Sequence, residues 1–214
     1  MGVGRLREIV NSSYKRLQSR INGGLIKVEN EASLQLQLAS ILKTIGELYV
    51  STKKEVFLIE LEKPVILSKG CFLKSGSDKA KIDIFISIED DRNTQSCALE
   101  LKFFKKANQR EPNNRYDIFK DIHNLECYEQ ADFGLLIVAT DHPHYVNQTL
   151  YSKDTAAFDF RHGKRYRSGT KLIYGTKNPY GEPITLKQSY KFEWDQVSTG
   201  LHFLKLEVLK CNKK

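Results

Sequence analysis

Paired cysteines, targeting signals and long apolar runs are all missing from this chain of 214 residues. The longest apolar run, residues 133–139, is far shorter than the roughly 20 residues that a membrane-spanning helix needs. The four cysteines, Cys71, Cys97, Cys127 and Cys211, nowhere adopt C-x-x-C spacing, which argues against a zinc site. The opening MGVGRLREIV lacks the charged-then-apolar pattern of a signal peptide, and Leu6 stands where a myristoylation signal takes Ser or Thr. These absences lead us to expect a soluble cytoplasmic protein with free thiols and no membrane partner. No repeat, low-complexity segment or linker interrupts the chain, so residues 1–214 read as one domain.

Hydrophobic residues make up 40% of the chain and charged residues 28%, an ordinary globular balance. The length is enough to bury a sizeable core. The formal net charge of +8 favours a polyanionic partner, nucleic acid before an acidic membrane surface.

Residues 3–21 place Leu6, Ile9, Val10, Tyr14, Leu17 and Ile21 on one helical stripe, with Arg5, Arg7, Lys15, Arg16 and Arg20 around it. Asn22-Gly23-Gly24 ends that helix. A second helix is predicted from about residue 30 to 49, with Asn30 as N-cap and an apolar face of Leu34, Leu38, Ile41, Leu42 and Ile45. Glu31 falls in its first turn and Gln35 stacks one turn later. Strands are expected at 55–61, at 65–67 after Pro64, and at 71–73, followed by a turn at 74–78. A polar loop at 105–114, containing Pro112, leads to a helix at about 115–130 and a fully buried strand at 133–140. Residues 171–174, 190–194 and 201–209 are further strand candidates within a β-rich C-terminal extension of about 150–210. The expected fold class is α/β, a mixed sheet flanked by helices.

The chemistry concentrates in residues 81–106. Ile82, Ile84, Ile86 and Ile88 alternate with Lys81, Asp83, Phe85 and Ser87, which puts the isoleucines on one face and Asp83 on the other. A polar connection at 89–95 leads to a second strand, where Leu99, Leu101 and Phe103 face away from Ala98, Glu100 and Lys102. Residues two apart rise about 6.6 Å along a strand, so Glu100 and Lys102 are neighbours pointing the same way. If the two strands pair, Asp83, Glu100 and Lys102 converge. Two carboxylates and a lysine suit magnesium-dependent hydrolysis of a phosphodiester. A lone Glu-x-Lys also arises on any solvated strand face, and Glu31 on any helix N-terminus; the succession of elements around them gives the pattern weight.

That succession resembles the PD-(D/E)xK, or restriction-endonuclease-like, nuclease superfamily over roughly residues 30–140. The resemblance implies an αβββαβ core, with Asp83 as the acidic residue, Glu100 and Lys102 as the E-x-K pair, and Glu31 as the helical glutamate. Glu29 precedes the helix start and fits less well. Ile82 stands where the motif often has proline. In such a site Asp83, Glu100 and the Leu101 carbonyl would hold one or two Mg2+ ions, with Mn2+ substituting. Lys102 would stabilise developing charge and Glu31 would act through the outer shell.

The implied activity is a metal-dependent DNA endonuclease of restriction or phage defence, acting on double-stranded DNA. A homodimer would suit cutting both strands. Two alternatives stand beside it: a non-catalytic nucleic-acid-binding subunit, or a nuclease subunit of a transposase or repair machine active only with partners. Lys105, Lys106 and Arg110 after the E-x-K strand, with Arg161, Lys164, Arg165 and Arg167 in a cationic loop, are candidate phosphate contacts. Arg115, Asp117, Lys120 and Asp121 form a helix face that is either solvated or turned to phosphate. Asp141, His142 and His144 read as a strand-end loop or a transition-metal pair, and His123 and His162 have no partner identifiable from sequence.

Overall fold

The computed structural model describes residues 4–66, 79–196 and 200–210. The first helix, α1 (Gly4–Asn22), buries the expected stripe from Leu6 to Ile21. The second, α2 (Glu31–Leu48), starts at a capping box: Asn30 Oδ1 accepts from the Ser33 backbone N–H at 2.7 Å, while Ser33 Oγ accepts from the Asn30 N–H at 3.1 Å. Caps of this kind stabilise a helix by about 1 kcal/mol. Further along α2, a side chain at Gly46 would collide with the Phe57 ring, so glycine lets the helix lie close on the sheet.

The main sheet has six strands: β1 (Val56–Ile66), β2 (Lys79–Glu89), β3 (Thr94–Phe104), β4 (Phe133–Thr140), β9 (Trp194–Gln196) and β10 (His202–Leu209). Their spatial order is β1-β2-β3-β4-β10-β9. Among the described residues only β3 and β4 pair in parallel, and the crossover between them carries the third helix, α3 (Glu111–Cys127). Two small ribbons flank the sheet, one of β5 (Arg165–Tyr166) with β8 (Tyr190–Lys191), the other of β6 (Lys171–Leu172) with β7 (Ile184–Thr185). The fold is therefore α/β, with a mixed sheet and three α-helices among the described residues.

Two cores sandwich the sheet. One, under α1 and α2, contains Leu17, Leu38, Ile84, Ile86, Leu99 and Leu101. The other, under α3 and the C-terminal segment, contains Phe119, Ile122, Phe158, Phe160, Phe192 and Trp194. No described helix is long and apolar enough to cross a membrane.

Several expectations need correcting. Pro64 does not divide a strand: β1 runs through it, which an edge strand tolerates because it has one unpaired side. Helix α3 starts at Glu111 rather than 115, with Pro112 in its first turn, where a missing N–H costs nothing. Residues 190–194 split between β8 and β9, which belong to different sheets, and 171–174 shrinks to β6. Residues 71–73 and 74–78 lie outside the described residues. Residues 133–140 form a strand buried along its whole length, as expected.

The isoleucine face also breaks. Ile84, Ile86 and Ile88 lie under α1 and α2, but Ile82 joins the opposite core with Val65 and Ala80. The cause lies between the paired residues Leu61↔Ile84 and Lys63↔Ile82. Glu62 there has φ 52, a left-handed backbone, and both strands change face together while keeping register.

Candidate active site

Asp83 sits at that break, beside the registered pairs Leu61↔Ile84 and Ile84↔Leu99. Gln35 Nε2, from α2, donates to the Asp83 carbonyl at 2.6 Å and to Glu62 Oε1 at 3.0 Å. Asp83 Oδ2 accepts from the Leu101 backbone N–H at 2.6 Å. The Asp83 carboxylate thus lies against the Leu101 amide, between Glu100 and Lys102. A left-handed non-glycine residue costs about 1–2 kcal/mol, and Glu62 carries that strain beside the site.

Glu100 has no solvent exposure, and Tyr128 donates its hydroxyl to Oε1 at 2.8 Å. Burial and the adjoining carboxylate push the Tyr128 hydroxyl far above its usual pKa, so it stays a donor. Lys102 points into the same space, with 19% of its side chain exposed. Its ammonium lies 3.1 Å from Asp121 Oδ2 and 4.0 Å from Glu31 Oε2, and donates to the Leu101 carbonyl at 2.9 Å. Burial alone would lower its pKa; the attraction of Asp121, Glu100, Glu31 and Asp83 outweighs that and raises it. Lys102 is an ammonium.

Glu31, at the start of α2, is raised chiefly by partial burial, against the pull of Lys102. Asp117, one turn before Asp121 on α3, is raised by burial and then by Asp121. Four carboxylates therefore act on one ammonium, an arrangement with a surplus of negative charge.

The structure brings Asp83, Glu100, Lys102, Leu101 and Glu31 together. It adds Asp121, Tyr128 and Gln35 to them. Asp121 interrupts the apolar stripe of Ile118, Ile122 and Leu125, and an acid in such a stripe is the signal that would have picked it out. No group of three or more His, Cys, Asp or Glu side chains among the described residues is arranged to hold a metal ion. The donors present are two carboxylates and a main-chain carbonyl, all hard oxygens, which fits a cation such as Mg2+ that binds through one or two carboxylates and keeps several waters.

The cationic residues fall into two groups. Lys105 lines a cleft of about 500 Å3 with Glu29, Phe103 and Asp141, beside the end of β3. Lys106 and Arg110 follow, both exposed. Arg161 is engaged: it grips Asp159 through two nitrogens at 2.8 and 2.9 Å and lies over the Tyr151 ring. Lys164 lies 3.5 Å from Asp159, while Arg165 and Arg167 are exposed. Arg115 is neither solvated nor turned to phosphate; it is buried and donates to the Phe158 carbonyl and to Thr155. His142 bonds Glu111 at 2.9 Å and His144 stacks on Tyr151, in the short segment that follows β4. His162 accepts from the Trp194 backbone N–H, and His123 lies 3.9 Å from Glu126.

Comparison of the chain with family models, curated proteins and solved structures finds no match.

Proposed function

We propose that this protein is a metal-dependent DNA endonuclease with a restriction-endonuclease-like core, acting on double-stranded DNA in the cytoplasm in restriction or phage defence. One observation carries the reading: the hydrogen bond that ties the Asp83 carboxylate to the Leu101 N–H, between Glu100 and Lys102. That bond holds one carboxylate beside a buried second carboxylate and a fixed ammonium. An ordinary solvated strand face provides none of that geometry.

Asp83, Glu100 and the Leu101 carbonyl would hold Mg2+, which when bound lowers the pKa of a coordinated water and screens charge on the scissile phosphate. Lys102 presents its ammonium to that phosphate. Asp121 and Glu31 hold the ammonium from two different helices, so little reorganisation is needed as charge develops. Tyr128 fixes the Glu100 carboxylate, and Gln35 fixes the Asp83 backbone. Lys105, Lys106 and Arg110 lie beyond the end of β3, suited to the DNA backbone beside the cut. A homodimer would present two such sites to the two strands.

One observation favours a second reading. The Lys102 ammonium already satisfies the Leu101 carbonyl and Asp121. Such internal pairing suits a nuclease subunit of a transposase or repair machine that acts only with partners, or a non-catalytic nucleic-acid-binding subunit. Nicking of supercoiled plasmid tests the choice. Cutting in Mg2+ or Mn2+ that stops in EDTA supports the stand-alone enzyme, and no cutting of any DNA by the folded protein supports the second reading.

A further inference from the structure

Along α3 from the lysine lies an aromatic surface that the proposed hydrolysis does not use. Tyr116 is buried, and three rings gather on it: Phe158 at 5.3 Å, Tyr174 at 5.5 Å and Tyr180 at 5.6 Å between centroids. The loop that carries Tyr180 is held firmly. Tyr116 donates its hydroxyl to the Glu182 carbonyl at 3.1 Å, and any side chain at Gly181 would run into the Tyr116 ring. Tyr180 nonetheless remains 49% exposed. Beyond the effect of burial, Asp117 and Arg110, both on or next to the first turns of α3, act on its hydroxyl from close by, the first raising its pKa and the second lowering it. Asp117 is one helical turn, about 6 Å along the axis, from Asp121, which holds Lys102.

We infer that Tyr180 is a nucleobase-stacking shelf beside the proposed cutting site, with Arg110 as its phosphate contact, and that the site takes a strand whose base next to the cut is unpaired. The inference rests on the nuclease reading for the hydrolysis alone and narrows its double-stranded substrate to duplex opened at the cut, with its place taken from this geometry. A half-exposed ring packed edge-on against Tyr116 offers a flat apolar face, and every base has a face to lay on it. Bases in an intact duplex are already stacked on their neighbours. The shelf therefore favours single strands, flaps, frayed ends or locally opened duplex. An exposed arginine beside the ring supplies the charge that a bare aromatic patch would lack.

The test uses Lys102→Ala protein without divalent metal, so that binding is read apart from cutting. The probes are a single-stranded oligonucleotide carrying 2-aminopurine and its fully paired duplex. Tyr180→Leu is expected to weaken single-strand binding about tenfold, as expected for one lost base–aromatic stack, and to abolish the 2-aminopurine quenching. Duplex affinity should change less than twofold. Tyr180→Trp, which keeps a stacking face, should retain both affinity and quenching, and it guards against a loss caused by misfolding. Equal losses on single strand and duplex, or no loss in Tyr180→Leu, would overturn the shelf. If the parent protein cuts nothing yet shows Tyr180-dependent quenching, the hydrolysis reading fails and the shelf stands.

Discussion

The Asp83 carboxylate accepts the backbone N–H of Leu101 at 2.6 Å, so the acid of one strand is fastened to the peptide between Glu100 and Lys102 of the next. This bond separates position from charge. Asp83→Asn keeps an oxygen to accept the Leu101 N–H and removes the negative charge. Plasmid cleavage should fall by about 100-fold or more, the scale of losing one charged group from a preorganised site. The thermal midpoint should hardly move. A variant that cuts normally would remove Asp83 from the chemistry.

Tyr128→Phe removes the hydroxyl that donates to the fully buried Glu100. A hydrogen bond to a charged group contributes about 1.5–3 kcal/mol, so denaturant unfolding should shift by that amount. Cleavage should fall as well, because Glu100 loses the contact that orients it.

Asp117 gives a pH prediction with a definite sign. Its pKa is raised on folding, chiefly by burial and then by Asp121. Its contribution is favourable below the ordinary carboxyl value near 3.8 and is lost as pH rises through the higher folded value. Asp117→Asn should therefore melt higher than the parent at neutral pH, with the difference vanishing as pH falls below about 4. Thermal scans across pH in metal-free buffer read this directly. A variant less stable at neutral pH would contradict it.

Arg115 distinguishes a structural cation from a DNA-binding one. It is buried and donates to Thr155 and to the Phe158 carbonyl. Arg115→Met should destabilise the protein by about 2–3 kcal/mol, since the acceptors lose a charged donor. The salt dependence of DNA binding should not change, whereas loss of a phosphate contact would lower its slope by about one.

The sequence exposed what depends on period. Glu100 and Lys102 share a strand face by a count of two, Asn30 announces the α2 cap, and residues 133–140 could only be buried. What it hid depends on tertiary placement. Nothing about Glu62 marks it as left-handed, because that backbone is more often given to glycine or asparagine; hence simple alternation places Ile82 on the wrong face. Asp121 and Tyr128 belong to the site only because α3 packs across β3, and no local pattern states which turn of a helix meets which strand. Arg115 looked like a surface cation because the segment that covers it, around Thr155 and Phe158, lies 40 or more positions away.

The central claim is that Asp83, Glu100 and Lys102 form a phosphodiester-cutting site, and Lys102→Ala tests it most directly. Supercoiled plasmid and phage DNA are incubated with parent and variant in Mg2+, Mn2+ or EDTA, and DNA affinity is measured alongside. Metal-dependent cutting by the parent, no cutting by the variant, and retained DNA binding in both are expected. Cutting that survives Lys102→Ala would contradict it.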